Sequence, residues 1–376
     1  MISGERATIH YFSKTTSIGP SSRYRIYQYL PYLQRHGIQT HVYPLFGALY
    51  FSMLTWRPAW LRAFGKMVYT VLCFLHRLLH LLVVKAGDLV VIEGQLFPYC
   101  APIVERALSR RNRIILELDD AIYLTPGHAR KIPALLRLSA GAIVGNSTLA
   151  KYASLHTSNV YVVPTVVDTD RFRPADGKRS SPATAFDRAV TIVWIGLAYN
   201  FPYVEMLIPA LRELQKHSPI VLRIVSSSPP VLPGLNVEFR PWSYENEVQD
   251  LQTADIGVMP LFDDEWARSK CGLKLLQYMA VGLPALASPV GVNRDIVRHG
   301  ENGFLAASEE DWYRQLAALC RDRELRWRIG DAARTTVEAQ YSLKHWGPAL
   351  AERYAAIIDD TNRPYSRPAV AQPVVR

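Results

Sequence analysis

A chain of 376 residues is too long for one compact core and suits two domains of ordinary size, and its composition is that of a soluble globular protein. The formal net charge of +10 favours an anionic partner: nucleotide phosphates, nucleic acid or an acidic membrane surface. Neither a Gly/Arg-rich tail nor a zinc-finger pattern supports nucleic acid.

The N-terminus lacks the basic-then-apolar layout of a signal peptide and leads into a strand, so export is not expected. Short apolar runs then alternate with helical patterns from end to end, as in parallel βα units rather than in a sandwich or bundle. In the first half Ala7–Phe12, Gln39–Pro44, Asp88–Ile92, Arg113–Leu118, Ala142–Gly145 and Asn159–Val163 read as strands. Between the second and third lies the apolar segment Trp56–Val84, interrupted by His76, Arg77 and His80 where a transmembrane helix should be apolar. With Arg57, Arg62, Lys66 and Lys85 it predicts either an amphipathic helix at a lipid interface or one that covers the sheet. Cys73, His76 and His80 would share a face of that helix, but no fourth ligand accompanies them and no metal is expected. The cysteines as a set (Cys73, Cys100, Cys271 and Cys320) form no CxxC, which argues against a disulfide framework or zinc module and fits a reducing cytoplasm.

Arg173–Arg188, rich in Pro, Ser, Ala and charge and without apolar periodicity, reads as a linker. Strands of the second half follow at Thr191–Ile195, Val221–Val225, Val237–Phe239, Ile256–Pro260, Pro284–Ala287 and Gly303–Leu305. The expected organisation is an N-terminal domain over 1–174, a linker over 175–188, a C-terminal domain over 189–345, a helix over 346–360 and a disordered tail over 361–376.

In open parallel sheets ligands bind beyond the carboxyl ends of the strands. Here those loops hold Ser13–Arg25, Glu93-Gly94-Gln95, Asp119-Asp120, Gly196–Asn200 and Ser288–Asn293. Two facing sets of such loops would frame an interdomain cleft suited to a nucleotide-linked substrate. Arg23 and Arg25 follow the Gly19-Pro-Ser-Ser loop and open a helix, either reaching phosphates or an anionic acceptor, or standing exposed at a capped helix start. Glu93, Asp119 and Asp120 end strands, and their carboxylates are candidates to orient or deprotonate an acceptor hydroxyl. Trp242 is a candidate to stack on a base, with packing as the alternative.

Ser269–Pro284 predicts a short helix, capped by Ser269, carrying Leu273, Leu276, Met279 and Ala280 at helical spacing and stopped by Gly282 and Pro284. Lys270 and Lys274 would then occupy its first turns, which already carry about half a unit of positive charge. They cost stability there unless an anion binds, with phosphate the first choice. Together with Gln277 they would line one face along a ligand running from phosphate to sugar or ribose; a solvated basic face is the alternative.

The succession Gly19-Pro-Ser-Ser-Arg-Tyr-Arg25, Val163–Asp168, Ala254–Pro260, the lysine helix, Ser288–Asn293 and Gly300-Glu-Asn-Gly-Phe304 resembles that of family 4 retaining glycosyltransferases, the glycosyl transferases group 1 type, over most of the chain. The resemblance implies an α/β GT-B fold: two Rossmann-like, doubly wound parallel-sheet domains facing an interdomain cleft, with the 346–360 helix crossing back to the first. It implies retaining transfer of a sugar from a nucleotide-diphosphate sugar to a saccharide or lipid-linked acceptor, in cell-surface polysaccharide or glycolipid synthesis, without an obligatory metal or cofactor. The enzyme would be cytoplasmic, with peripheral attachment to the inner face of the membrane. Gly19, Arg23, Gly196, Asn200, Trp242, Lys270, Lys274, Gln277, Gly291, Val292 and Asn293 are then candidates to hold the sugar nucleotide. Lys274, Lys270, Asp119, Asp120 and Glu93 are candidates for catalysis, with Lys274 first for stabilising the leaving diphosphate.

Two departures stand out. Much of the family carries two glutamates seven residues apart in the lysine-helix region, the first near the donor sugar and the second on the ribose; Lys270 and Gln277 stand there in this chain. After Ile195 the family often supplies Arg and Lys for the diphosphate, and this chain has Gly196-Leu-Ala-Tyr-Asn200. Phosphate charge is therefore expected to be met by Lys270 and Lys274, with backbone N–H groups after Gly196 and near Gly291. A sugar-nucleotide-binding subunit without catalysis and a sugar-nucleotide epimerase are the alternative functions.

Overall fold

The computed structural model describes residues 8–53, 56–176 and 189–361. Residues 177–188 of the expected linker and 362–376 of the expected tail lie outside the described residues. The chain divides into two compact units, one made of Met1–Pro164 with Trp346–Arg376 and the other of Thr165–His345.

The first unit is built on β1 (Thr8–Thr15), β2 (Gln39–Phe46), β3 (Leu89–Glu93), β4 (Ile114–Leu118), β5 (Gly141–Val144) and β6 (Val160–Val162). These form one parallel sheet in the order β2-β1-β3-β4-β5-β6. Every residue of β3 and β4 is buried, which is why Leu89–Ile92 and Ile114–Leu116 read as continuous apolar runs rather than as an alternation, with Glu93 and Glu117 the buried carboxylates that follow them. From Trp346 onward the C-terminal helix Leu343–Thr361 belongs to this unit, where Tyr354 meets Tyr11 of β1 edge-on at 6.0 Å between ring centroids. The helix Ala59–Leu81 packs on β2 and is fixed by Arg77, which is 1% exposed. The Arg77 guanidinium donates to the backbone carbonyls of Ser13 (2.6 Å), Tyr43 (2.9 Å) and Leu96 (3.4 Å).

The second unit repeats the plan with β7 (Val190–Ile195), β8 (Ile220–Ser226), β9 (Val237–Pro241), β10 (Ile256–Met259), β11 (Ala285–Ala287) and β12 (Phe304–Leu305). Its parallel sheet runs β12-β11-β10-β7-β8-β9. Trp194, Leu211, Ile224, Ile256, Trp312 and Leu316 are buried together in its core. All the expected strands form, with ends differing by a few residues at most. Among the described residues, no helix is long and apolar enough to cross a membrane.

Candidate functional site

In the second unit β7, β10 and β11 are neighbours, so the loops leaving their carboxyl ends lie side by side. The connection from β10 to β11 holds two helices where the sequence predicts one. Asp264 caps the helix Glu265–Arg268 by accepting the Ala267 N–H at 2.7 Å. Ser269 closes it, its hydroxyl donating to the Glu265 carbonyl at 3.1 Å. Gly272 then adopts φ 71° and starts the helix Leu273–Ala280; an ideal Cβ on it would stand 2.5 Å from Ile296 Cδ1.

Lys270 therefore lies in the connection, outside the helix, and shares no helical face with Lys274 and Gln277. The serine misleads because the same hydroxyl that caps the start of a helix also bonds back to a carbonyl four residues earlier at the end of one. The Lys270 ammonium sits 5.6 Å from the Trp266 ring centroid.

Lys274 does occupy the first turn, where the helix end is positive. Its Cε stands 2.9 Å from where a Cβ on Gly196 would be, and its ammonium 5.7 Å from the Trp194 ring centroid. That same Cβ would be 2.7 Å from the Trp194 ring, so only glycine at 196 lets the lysine stem reach the end of β7. Tyr278, on the same helix, accepts the Ile195 N–H at 3.1 Å and donates to the Val258 carbonyl at 3.2 Å. Its phenol thus ties β7 to β10 from a position one turn along the helix from the lysine.

The loop after β11 packs on the same connection. Gly291, at φ 53°, lies so close to the Arg268 carbonyl that a Cβ would stand 2.5 Å from it, and Val292 Cγ2 stands 3.2 Å from the corresponding position on Gly272. Asn293, 1% exposed, donates through Nδ2 to the Ser288 carbonyl at 3.0 Å, while its buried Oδ1 accepts no hydrogen bond. Asn200 is buried in the turn after β7, its N–H donating to the Leu197 carbonyl at 2.9 Å. Gln277 is also buried. The structure thus sets Lys274 against Gly196, Val292 against Gly272 and Gly291 against Arg268. Trp242 stands apart, beyond edge strand β9 with β8 between it and β7. Its indole N–H donates to Glu247 at 2.9 Å, and Arg171 donates to the same carboxylate at 2.5 Å.

In the first unit the loop after β1 folds onto Glu93. One oxygen of this carboxylate accepts the Lys14 N–H at 2.8 Å and the Ser22 hydroxyl at 2.7 Å. Gly19 is required in that loop, since a Cβ would lie 2.0 Å from Thr15 Oγ1. Burial, reinforced by the negative charge of Asp119, pushes the Glu93 carboxyl up to about 7. Glu93 and Asp119 are thus brought within electrostatic reach at the ends of β3 and β4, and Asp120 follows with its carbonyl accepting the Ile122 N–H at 2.8 Å.

The two arginines of the first loop are neither exposed nor presented by a side-chain-capped helix start. Arg25 is buried, and its Nε donates to Glu117 at 2.5 Å while Nη1 donates to the Val163 carbonyl at 2.7 Å; this internal role replaces the expected phosphate contact. Arg23 is also buried, its guanidinium 5.1 Å from the Tyr24 ring centroid. Sequence reasoning missed His128, 4% exposed, which accepts from the Gln95 amide at 2.7 Å and bonds Thr125 Oγ1 at 2.9 Å beside the end of β3. No spacing in the sequence links Gln95 to the Thr125–His128 pair. Among the described residues no group of three or more His, Cys, Asp or Glu side chains is placed to hold a metal ion.

Residues 189–322 match the family model described as Glycosyl transferases group 1. Among curated proteins, D-inositol 3-phosphate glycosyltransferase of Nocardia farcinica is 28% identical over 219 residues, covering 52% of this chain and 47% of that protein. The chain spans about half the length of the curated relatives it matches. Sucrose-phosphate synthase from Thermosynechococcus elongatus superposes with a TM-score of 0.67 at 16% identity, covering 94% of this chain and 100% of that one. Anabaena HepE, solved in complex with UDP-glucose, gives a TM-score of 0.67 at 14% identity, covering 93% and 99%. The two six-stranded parallel sheets thus have the GT-B fold, and the stretch of the second unit that carries Lys274 is similar to the group 1 glycosyltransferases.

Proposed function

We propose that the protein transfers a sugar, with retention, from a nucleotide-diphosphate sugar to a saccharide or lipid-linked acceptor in cell-surface polysaccharide or glycolipid synthesis. The observation that carries the reading is the seat of Lys274, a cation in the first turn of a helix and pressed against side-chain-free Gly196 at the end of β7. Helix-end N–H groups and an ammonium together favour a diphosphate, and the charge that develops on the leaving group is what such a pair stabilises. A uridine base is favoured by the UDP-glucose complex of HepE. Gly291, Val292 and the Lys270 connection would border the same phosphates. In the first unit, Glu93 and Asp119 would orient the acceptor hydroxyl, and a carboxyl titrating near 7 is suited to exchanging its proton. An anionic membrane surface as a partner rests on a separate element, the helix Ala59–Leu81.

Calorimetry with UDP-, GDP-, ADP- and TDP-sugars tests the donor. One of them should bind, and Lys274→Ala should weaken it roughly 10- to 100-fold, the worth of a hydrogen bond to a charged group. Binding to none, or unchanged affinity in the variant, overturns the reading. Buried Gln277, standing where much of the family has a glutamate, favours a binding subunit as the second reading. Tight donor binding with no transfer to cell-envelope acceptor extracts would select it.

A further inference from the structure

The helix Ala59–Leu81 of the first unit carries an apolar stripe on its outer side. Trp60, Phe64, Met67, Val71, Leu75 and Leu79 recur at steps of three and four along its outer side and are between 54% and 70% exposed. The side turned to the protein is mixed: Phe74 meets Phe97 edge-on at 5.1 Å between ring centroids, Leu81 is buried, and polar groups pack beside them. There Tyr69 accepts the Gly47 N–H at 3.0 Å, His80 packs on Tyr43 at 4.6 Å between ring centroids, and Arg77 is bonded to three backbone carbonyls. An ordinary covering helix turns its apolar stripe inward, so this outward stripe calls for an occupant.

Charge identifies the occupant. Between Glu5 and Asp88 the sequence has no acidic residue, yet it holds ten Lys and Arg. Arg57 precedes the helix, Arg62 and Lys66 lie in its N-terminal half, the Lys66 ammonium 5.2 Å from the Tyr50 ring centroid, and Lys85 lies just past its end. A second copy meeting this face with its own by two-fold symmetry would bring only more cations, with no carboxylate from this stretch to pair them. A bilayer with anionic headgroups supplies both apolar chains and negative charge. Spanning is ruled out for this helix because Arg77 and the whole inner side are committed to the protein.

We propose that this face docks the protein on an anionic lipid bilayer, with the helix lying in the interfacial plane over about 34 Å and its stripe among the acyl chains. Arg57, Arg62, Lys66 and Lys85 lie at the height of the headgroup phosphates. The inference rests on the first unit alone and is independent of the sugar-transfer reading.

Co-sedimentation of the full chain with vesicles of phosphatidylcholine, alone and mixed with phosphatidylglycerol, tests it. The protein should bind the mixed vesicles more tightly, and affinity should fall about fivefold for each charge removed in Arg57→Gln, Arg62→Gln and Lys66→Gln. The exposed pair Val71→Glu and Leu75→Glu should abolish binding, with circular dichroism and nucleotide calorimetry unchanged as checks on the fold and on the second unit. Failure to bind either vesicle overturns the proposal. If the unbound protein is also a dimer that the glutamate pair makes monomeric, the face is a contact between copies instead.

Discussion

Lys274 reaches the end of strand β7 because residue 196 has no side chain: the lysine Cε stands 2.9 Å from where a Cβ on Gly196 would be. The obstacle on the other side, the Trp194 ring, is 1% exposed and cannot yield. Gly196→Ala should therefore displace the lysine, weakening nucleotide-diphosphate binding about tenfold by calorimetry. Its cost in urea unfolding should be about 1–3 kcal/mol, that of an overpacked core.

The Arg25–Glu117 pair predicts a loss of folding where a phosphate contact would predict a loss of binding. Both side chains are buried. Arg25→Met strands a buried carboxylate and should cost about 3–5 kcal/mol. Arg25→Met with Glu117→Leu should recover most of it, because neither charge is then left alone. Equal losses in the single and double variants would show that the pair is not the cause.

Glu93 makes stability fall as pH rises. Its folded pKa, about 7, lies above the ordinary 4.5, so between these values the folded protein keeps a proton that the unfolded chain has released. Below 4.5 both states are protonated and the group is neutral in the balance. Once pH passes 7 both are ionised and the full burial cost is present, at most roughly 3 kcal/mol. Glu93→Gln keeps an oxygen to accept from Lys14 and Ser22 but cannot ionise. The stability of the variant relative to the wild type should therefore rise between pH 5 and pH 8 in urea titrations, and a constant difference would refute the assignment.

Gly330, in the helix Arg323–Gln340, supports the Leu273–Ala280 helix from behind. A Cβ there would lie 2.1 Å from the Gly282 carbonyl oxygen. Gly330→Ala should cost about 1–3 kcal/mol. It should also weaken nucleotide binding by moving the helix that carries Lys274, so a stability loss with intact affinity would separate the two.

The sheets were legible because apolar runs such as Leu89-Val-Val-Ile92 and Ile114-Ile-Leu116 are covered on both faces and bounded by polar loops. The start of the lysine helix was not, because it depends on Gly272 packing beneath Ile296, a contact made only after the chain has passed through β11. Likewise nothing local marks Arg25 as internal, since its partner Glu117 is 92 residues away. Gly196, Lys274 and the Ser288–Asn293 loop could be named from strand ends and helix polarity. Their mutual fit rests on the Trp194 ring and the Tyr278 phenol, whose apolar bulk reads in a sequence as ordinary core.

Arg77 turns the Ala59–Leu81 helix into a keel rather than a tether. Its guanidinium grips backbone belonging to β1, to β2 and to the turn beyond β3, so the helix can neither roll nor slide without breaking bonds to all three. A domain beached on such a keel would come to rest at one tilt. The Ser13–Ser22 loop and Glu93 would then ride at a constant height above the surface, which would set how far any group held in the bilayer must rise to meet them.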